Sequence, residues 1–214
     1  MTPCLFSISY AGFWGQAALP LVDFIPHAAR LGFASVMIAG KRPHLSPLDA
    51  PEQIEPLKAA LAAAKIRCEV IGAYTNLAQP VGVGCEVPQI EFQIAYVESL
   101  ARIAAQLGAK VVRVFGAYEI EGQDPQTQWN RCVSAIREIC DRAAAHGVTL
   151  AIQNHHDVGL HTEALLEMLA DIDRPNCKLG FDAWSPALRG GGVYEWAKRA
   201  ALRTGIRTNA EYGK

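Results

Sequence analysis

Two short apolar runs in this sequence end abruptly in groups that can do chemistry. Residues 149–159, TLAIQNHHDVG, deliver Gln153, Asn154, His155, His156 and Asp157 in succession, and residues 178–186, KLGFDAWSP, deliver Asp182. Carboxylate oxygens, amide oxygens and neutral imidazole can hold a metal ion or hydrogen-bond a polar ligand. Apolar runs bounded by turn signals mark buried strands. Parallel α/β folds place their active sites just past the C-terminal ends of such strands. The two strand ends are therefore expected to build parts of one polar site. Alternation along an extended chain puts Gln153 and His155 on one face, Asn154 and His156 on the other.

Other groups could join them, each with a plainer alternative. Lys41, Arg42 and His44 lie in GKRPHLSPLDAP, a stretch whose three prolines make it a loop. They could grip a hydroxylated or anionic ligand, Arg through its forked donors, or form a solvated loop. Arg113 sits inside the apolar run KVVRVF, where an unpaired charge is costly. It must find a carboxylate, Glu69 on the neighbouring strand being the expected partner, or face a polar interior. Glu119 could bring a carboxylate to the site or be an exposed loop charge. Trp14 and Phe13 could wall the flat face of a ligand or simply pack. Arg189 and the glycines after it suggest a mobile loop or a plain connector. His27, His146 and His161 fall on helices or helix edges and carry no assigned chemistry.

The elements that must position these groups come in a repeating order. Strands are expected over 4–10, 34–39, 67–72, 110–115, 148–152 and 177–181, with a seventh beginning in the tail after 204. Helices are expected over 19–31, 53–65, 88–107, 124–146, 161–169 and 194–199. Gly32, Gly108 and Gly147 stop three of the helices, and Pro88 and Pro125 suit first turns. This β-α rhythm is that of a TIM (β/α) barrel, whose full form takes about 250 residues. The competing doubly wound sheet usually carries a glycine-rich phosphate turn after its first strand, to which AGFWG is a poor match. The expected fold is α/β: one TIM (β/α)-barrel domain over 1–214, incomplete, with about six to seven of eight β/α units.

Composition narrows the class. Half of the 214 residues are hydrophobic and 19% are charged, so a large core can be buried. A net charge of −1 gives no electrostatic footprint for nucleic acid or an anionic membrane. No apolar run approaches the roughly 18 residues of a membrane span, and MTPCLFSISYAGFWG lacks the basic region and long apolar stretch of a signal peptide. Six cysteines without a CxxC pair point to reduced thiols in a cytoplasmic protein.

The succession of strand endings resembles the sugar phosphate isomerase/epimerase family, the xylose-isomerase-like TIM barrels. The likeness runs over nearly the whole chain: the opening strand with its aromatic loop, then LGFASVMIAGKRPHLSPLD, LGAKVVRVFGAYE, LAIQNHHD and LGFDAWSP, the last two being the more specific. The resemblance implies a divalent cation, most often Mn2+, with Mg2+, Co2+ or Zn2+ as alternatives. Its ligands in the family are a glutamate from strand five, an aspartate from strand six, a histidine from strand seven and a glutamate from strand eight. The two glutamates commonly also move a proton next to a carbonyl. Here Gln153 falls at the strand-five glutamate and Asp182 at the strand-six aspartate. Gln153 can still ligate a hard cation but cannot be a base. The strand-seven histidine and strand-eight glutamate have no counterpart, since no histidine follows His161. A Gln153–His155–Asp182 set would be chemically sensible as ligands; His155 and His156 could equally touch substrate or only hydrogen-bond across the barrel mouth. Asp182 could instead cap the turn after it.

What the resemblance implies is a divalent-metal-dependent sugar or polyol isomerase, epimerase or related lyase, acting on a small-molecule sugar by proton abstraction next to a carbonyl. With Gln153 in the glutamate position, the base must come from His155, His156 or Glu119. Trp14, Lys41, Arg42, His44, Arg113 and Asn154 would hold the substrate. A catalytically inactive sugar-binding or assembly subunit of the same fold is the alternative. The related apurinic-site endonuclease needs a richer His/Glu cluster and a basic surface, neither of which is visible. The missing units leave two sheet edges, so a homo-oligomer or a partner subunit is expected to close the barrel.

Overall fold

The computed structural model describes residues 2–13, 15–78, 87–155, 158–188 and 192–208. Strand and helix alternate along them: β1 (Cys4–Phe6), α1 (Leu21–Arg30), β2 (Ser35–Ala39), α2 (Pro51–Ala64), β3 (Arg67–Gly72), α3 (Gln89–Leu107), β4 (Val111–Phe115), α4 (Pro125–Ala144), β5 (Thr149–Gln153), α5 (Thr162–Ile172), β6 (Cys177–Asp182), α6 (Trp184–Leu188), α7 (Val193–Ala200) and β7 (Thr204–Thr208). Each strand pairs in parallel with the next, in the order β1 to β7. Seven parallel strands thus curl into an incomplete TIM barrel with helices between them. Among the described residues, β1 and β7 each pair on one side only.

Local signals explain the boundaries. Asp124 accepts the Thr127 amide at 2.7 Å, and Pro125 begins α4 just inside that cap. Gly108 ends α3 at φ 78°, where a side chain would be strained. Phe24, Ile25 and Ala28 of α1 and Ile136, Ile139 and Ala143 of α4 recur at helical spacing and are fully buried against the sheet. Every residue of β2 is buried, as expected of a strand covered on both faces. Each such Leu, Ile or Phe contributes about 1.5–3 kcal/mol of transfer free energy.

Two elements depart from expectation. The first strand stops at Phe6, and Ser7–Tyr10 turns into a 3-10 helix. The Ser7 hydroxyl accepts the Ala39 amide at 2.9 Å, so a side chain replaces the ladder bond and the backbone is released. The short helix α6 was not expected. It starts because Asp182 Oδ1 accepts the Trp184 amide at 2.9 Å.

Candidate active site at the strand ends

Gln153 is the last residue of β5 and Asp182 the last of β6; the parallel register sets Gln153 opposite Gly180, with Asp182 two residues further on the same face. Gln153 Nε2 donates to Asp182 Oδ2 at 2.9 Å. His155 Nδ1 reaches the same oxygen at 3.2 Å and Ser185 Oγ at 3.3 Å, while Ser185 Oγ and His155 Nδ1 are 3.3 Å apart. Three side-chain heteroatoms therefore converge on one nearly buried carboxylate. Burial pushes the Asp182 carboxyl up. The His155, Gln153 and Trp184 donors outweigh it and hold the group below the ordinary aspartate value, so it stays ionised. Sequence reading missed Ser185; the available signal was a hydroxyl three residues after an acid at a helix start.

Asn154 has another task than the substrate contact expected of it. Its Nδ2 donates to the Asp182 carbonyl at 3.0 Å, and its Oδ1 accepts the Asp182 amide at 2.7 Å. Buried, with its amide bonded on both sides, it clamps the end of β6 to β5 and aims Asp182.

A row of rings crosses the mouth from this cluster toward β2. His155 stacks on Phe115 at 5.1 Å, Phe115 meets Tyr74 edge-on at 5.9 Å, and Lys41 Nζ lies 3.9 Å from the Tyr74 centroid and 4.8 Å from that of Phe13. Arg113 rises beneath, its guanidinium 4.1 Å from the Phe115 centroid and 4.8 Å from that of Tyr74. The expected Arg113–Glu69 pair does not form, because Glu69 pairs with Arg67 at 2.7 Å. Arg113 points into the barrel instead: it is 1% exposed, Nη1 donates to the Ala73 carbonyl at 2.9 Å, and Nε has no partner. Gly72 makes the room, since a Cβ there would come within 2.9 Å of Arg113 Nη2. Tyr74 and Phe115 were also missed, although both sit at strand C-terminal ends, where the signal was present.

Other expected residues separate from the site. His44 is a correction: it is buried, and both ring nitrogens are taken, Nδ1 by the Ser7 hydroxyl at 3.0 Å and Nε2 by the Leu19 carbonyl at 3.2 Å. It holds the β2 loop against the turn after β1 rather than a substrate. Arg42 points outward, 69% exposed and 4.0 Å from Asp49. Glu119 lies exposed in the loop after β4. Trp14, His156 and Asp157, and Arg189 with the two glycines after it, fall outside the described residues.

Burial lowers the His44 pKa from its ordinary 6.5, against the backbone hydrogen bonds of Leu19 and Tyr10. The unfolded chain therefore takes up this proton first, and stability is lost as pH falls below 6.5. Urea midpoints of the wild type should drop between about pH 7.5 and 5, and drop less for His44→Gln.

A cavity of about 220 Å3 opens beside the cluster, lined by His155, Leu160, Trp184, Ser185 and Leu188. A larger depression of about 260 Å3, lined by Ala95, Glu98, Ser99, Arg102 and His146, lies on the helical layer away from the strand ends. Only the first adjoins a buried charge with converging donors, and we take it as the functional one.

The profile of the xylose isomerase-like TIM barrel family matches residues 25–208. The chain belongs to that family. This xylose isomerase-like barrel is similar to D-psicose 3-epimerase with D-tagatose from Clostridium cellulolyticum H10, at 19% identity and a TM-score of 0.79 over 97% of this chain and 72% of that one. It is similar to the probable 3-DHS dehydratase AsbF, involved in petrobactin synthesis, from Bacillus anthracis, at 19% identity and a TM-score of 0.76 over 97% and 72%. A xylose isomerase-like TIM barrel protein from Mycobacterium smegmatis in complex with magnesium aligns at 15% identity and a TM-score of 0.75 over 99% and 76%. At these identities the likeness is one of fold. No protein of curated function matches the sequence.

Xylose isomerase-like barrels imply a divalent cation, and the donor set can be tested for it. Around the Asp182 carboxylate, Gln153, His155 and Ser185 offer an amide, an imidazole and a hydroxyl, each 2.9–3.3 Å from its Oδ2. These are donor types that hard and borderline divalent ions accept. The set fits, with one negative charge in it. Among the described residues no three of His, Cys, Asp and Glu gather. Gln153 faces Asp182 with its NH2, so ligation by Gln153 requires its amide to turn and present Oε1.

Proposed function

We propose that this chain is a sugar or polyol isomerase or epimerase, or a related lyase, that removes a proton from the carbon next to a carbonyl. The convergence of Gln153, His155 and Ser185 on the Asp182 carboxylate carries this reading. An ionised carboxylate only accepts, so His155 directs its Nδ1 proton to Asp182 and a neutral ring keeps its lone pair on Nε2. Nε2 is then the base, and Asp182 both fixes the tautomer and stabilises the imidazolium that forms. Phe115, stacked on the ring, sets its plane. His156, next in sequence, is the candidate for returning the proton. A divalent cation held by Asp182 and Gln153, Mn2+ by family resemblance, would supply positive charge to polarise the substrate carbonyl.

We take 1–214 as one barrel domain, and the sides of β1 and β7 that carry no partner strand among the described residues as the places where a second copy or a partner chain adds strands. Free thiols at Cys4, Cys68, Cys132, Cys140 and Cys177 support placement in a reducing compartment such as the cytoplasm.

The test is proton exchange in D2O with D-fructose, D-tagatose and D-xylulose, with and without Mn2+, followed by NMR. Loss of the proton next to the carbonyl only when protein is present is the expected result. The amide at Gln153 favours a second reading, a binding subunit without turnover; calorimetric sugar binding with no exchange would establish that one.

A further inference from the structure

We infer that the preferred substrate carries a carboxylate, seated against Lys41 at the β2 end of the ring row while its carbonyl end faces His155 and Asp182. This rests on the proposed function and narrows its substrate class. The accessible charges of the mouth are sorted: Asp182 is at the β6 end and Lys41 at the β2 end, with Arg113 buried beneath the rings between them and within the field of Asp182. Asp182 is occupied by His155, Gln153 and Ser185 and does not pair with either cation. Among the described residues neither cation makes an ion pair, and both lean on the same Tyr74 ring instead.

Two like charges over one ring repel. Arg113 and partial burial both lower the Lys41 pKa, burial being the larger cause. Arg113 cannot escape to water, and its Nε is left without an acceptor. An anion beside Lys41 would relieve this arrangement. Lys41 is only half-buried and can touch the ligand, whereas Arg113 acts from beneath as a fixed positive charge. One accessible cation suits a single negative charge. A phosphate dianion would draw on a nest of backbone amides, and Lys41 is flanked instead by Phe13 and Tyr74. The ring row between the two ends offers the flat apolar floor on which a carbon skeleton can lie.

The experiment is calorimetry on the intact chain with D-glucuronate and D-glucose, which differ only in a carboxylate for a hydroxymethyl group, and with D-glucose 6-phosphate as dianion. Glucuronate should bind about tenfold or more tightly than glucose, as one charge-assisted contact implies. The preference should vanish in Lys41→Gln and largely return in Lys41→Arg, with thermal melts confirming that both variants fold. Equal binding of the two sugars, no measurable glucuronate binding, or tighter binding of the phosphate overturns the inference. A glucuronate preference without proton exchange on any keto-sugar would sink the proposed reaction and leave this inference standing. Exchange on neutral sugars without a carboxylate preference would do the reverse.

Discussion

Replacing Asp182 with asparagine should lower turnover by roughly two to four orders of magnitude while the barrel stays folded. The substitution keeps shape and leaves an oxygen for the Trp184 amide that starts α6. It removes the negative charge that Gln153 Nε2, His155 Nδ1 and Ser185 Oγ share. An asparagine NH2 facing His155 would make Nδ1 an acceptor, moving the ring proton to Nε2, the atom that must take the substrate proton. Affinity for Mn2+, read by electron paramagnetic resonance, should fall by about 10- to 100-fold or more, since ligand and orienting group are lost together. The melting temperature should move by only a few degrees, because burial of the charge and its hydrogen bonds oppose one another. A variant that folds, exchanges substrate protons at the wild-type rate and binds Mn2+ unchanged would remove Asp182 from the chemistry.

Arg113→Met should act in opposite directions on stability and function. The side chain is fully buried, donates Nη1 to the Ala73 carbonyl, leaves Nε unpartnered and forms no ion pair among the described residues, although Tyr74 and the more distant Asp182 favour its charge. Burying an ion costs several kcal/mol, and a hydrophobic replacement of similar volume is often neutral or stabilising. Against this stand three rings around the guanidinium, at 4.1, 4.8 and 5.7 Å, and the Ala73 carbonyl that would lose its donor. The net gain should be about 1–2 kcal/mol, visible as a higher urea midpoint at unchanged slope. Binding of an anionic substrate should weaken by about tenfold in the same variant. A loss of stability instead would mean that the rings hold the cation better than the desolvation argument allows. Strain kept at a working site is a common reason for a buried charge to persist.

Much of this architecture was legible in the chain itself. Gln153 and Asp182 close apolar runs of strand length, so their joint placement at strand C-terminal ends followed from pattern and parallel topology. Helix stops at Gly108 and starts at Pro125 depend on φ preferences that act within a few residues. The seventh strand was legible only as a beginning, because Thr204–Thr208 has neither a long apolar run nor strict alternation. Partner choice was much less accessible. His44 looked like a loop histidine free for substrate, yet it is consumed by Ser7 and Leu19, residues far from it in sequence. Glu69 was the natural partner for Arg113 by strand adjacency, but Arg67 on its own strand reached it first.

The sequence by itself determined the β/α order, the barrel class and the two strand ends that carry the polar groups, because these arise from local propensity and the period of apolar residues; the family was legible only through the resemblance of its strand-end motifs. Only the tertiary structure decided that Asn154 clamps the backbone of Asp182, that Ser185 joins the carboxylate, and that Arg113 rests on rings rather than on an acid. Those outcomes depend on how far β4, β5 and β6 bend toward one another and which side chain first fills the space between them. Hydrogen bonds and charge burial are short-ranged in space, and the distances that govern them do not exist until the sheet has curled.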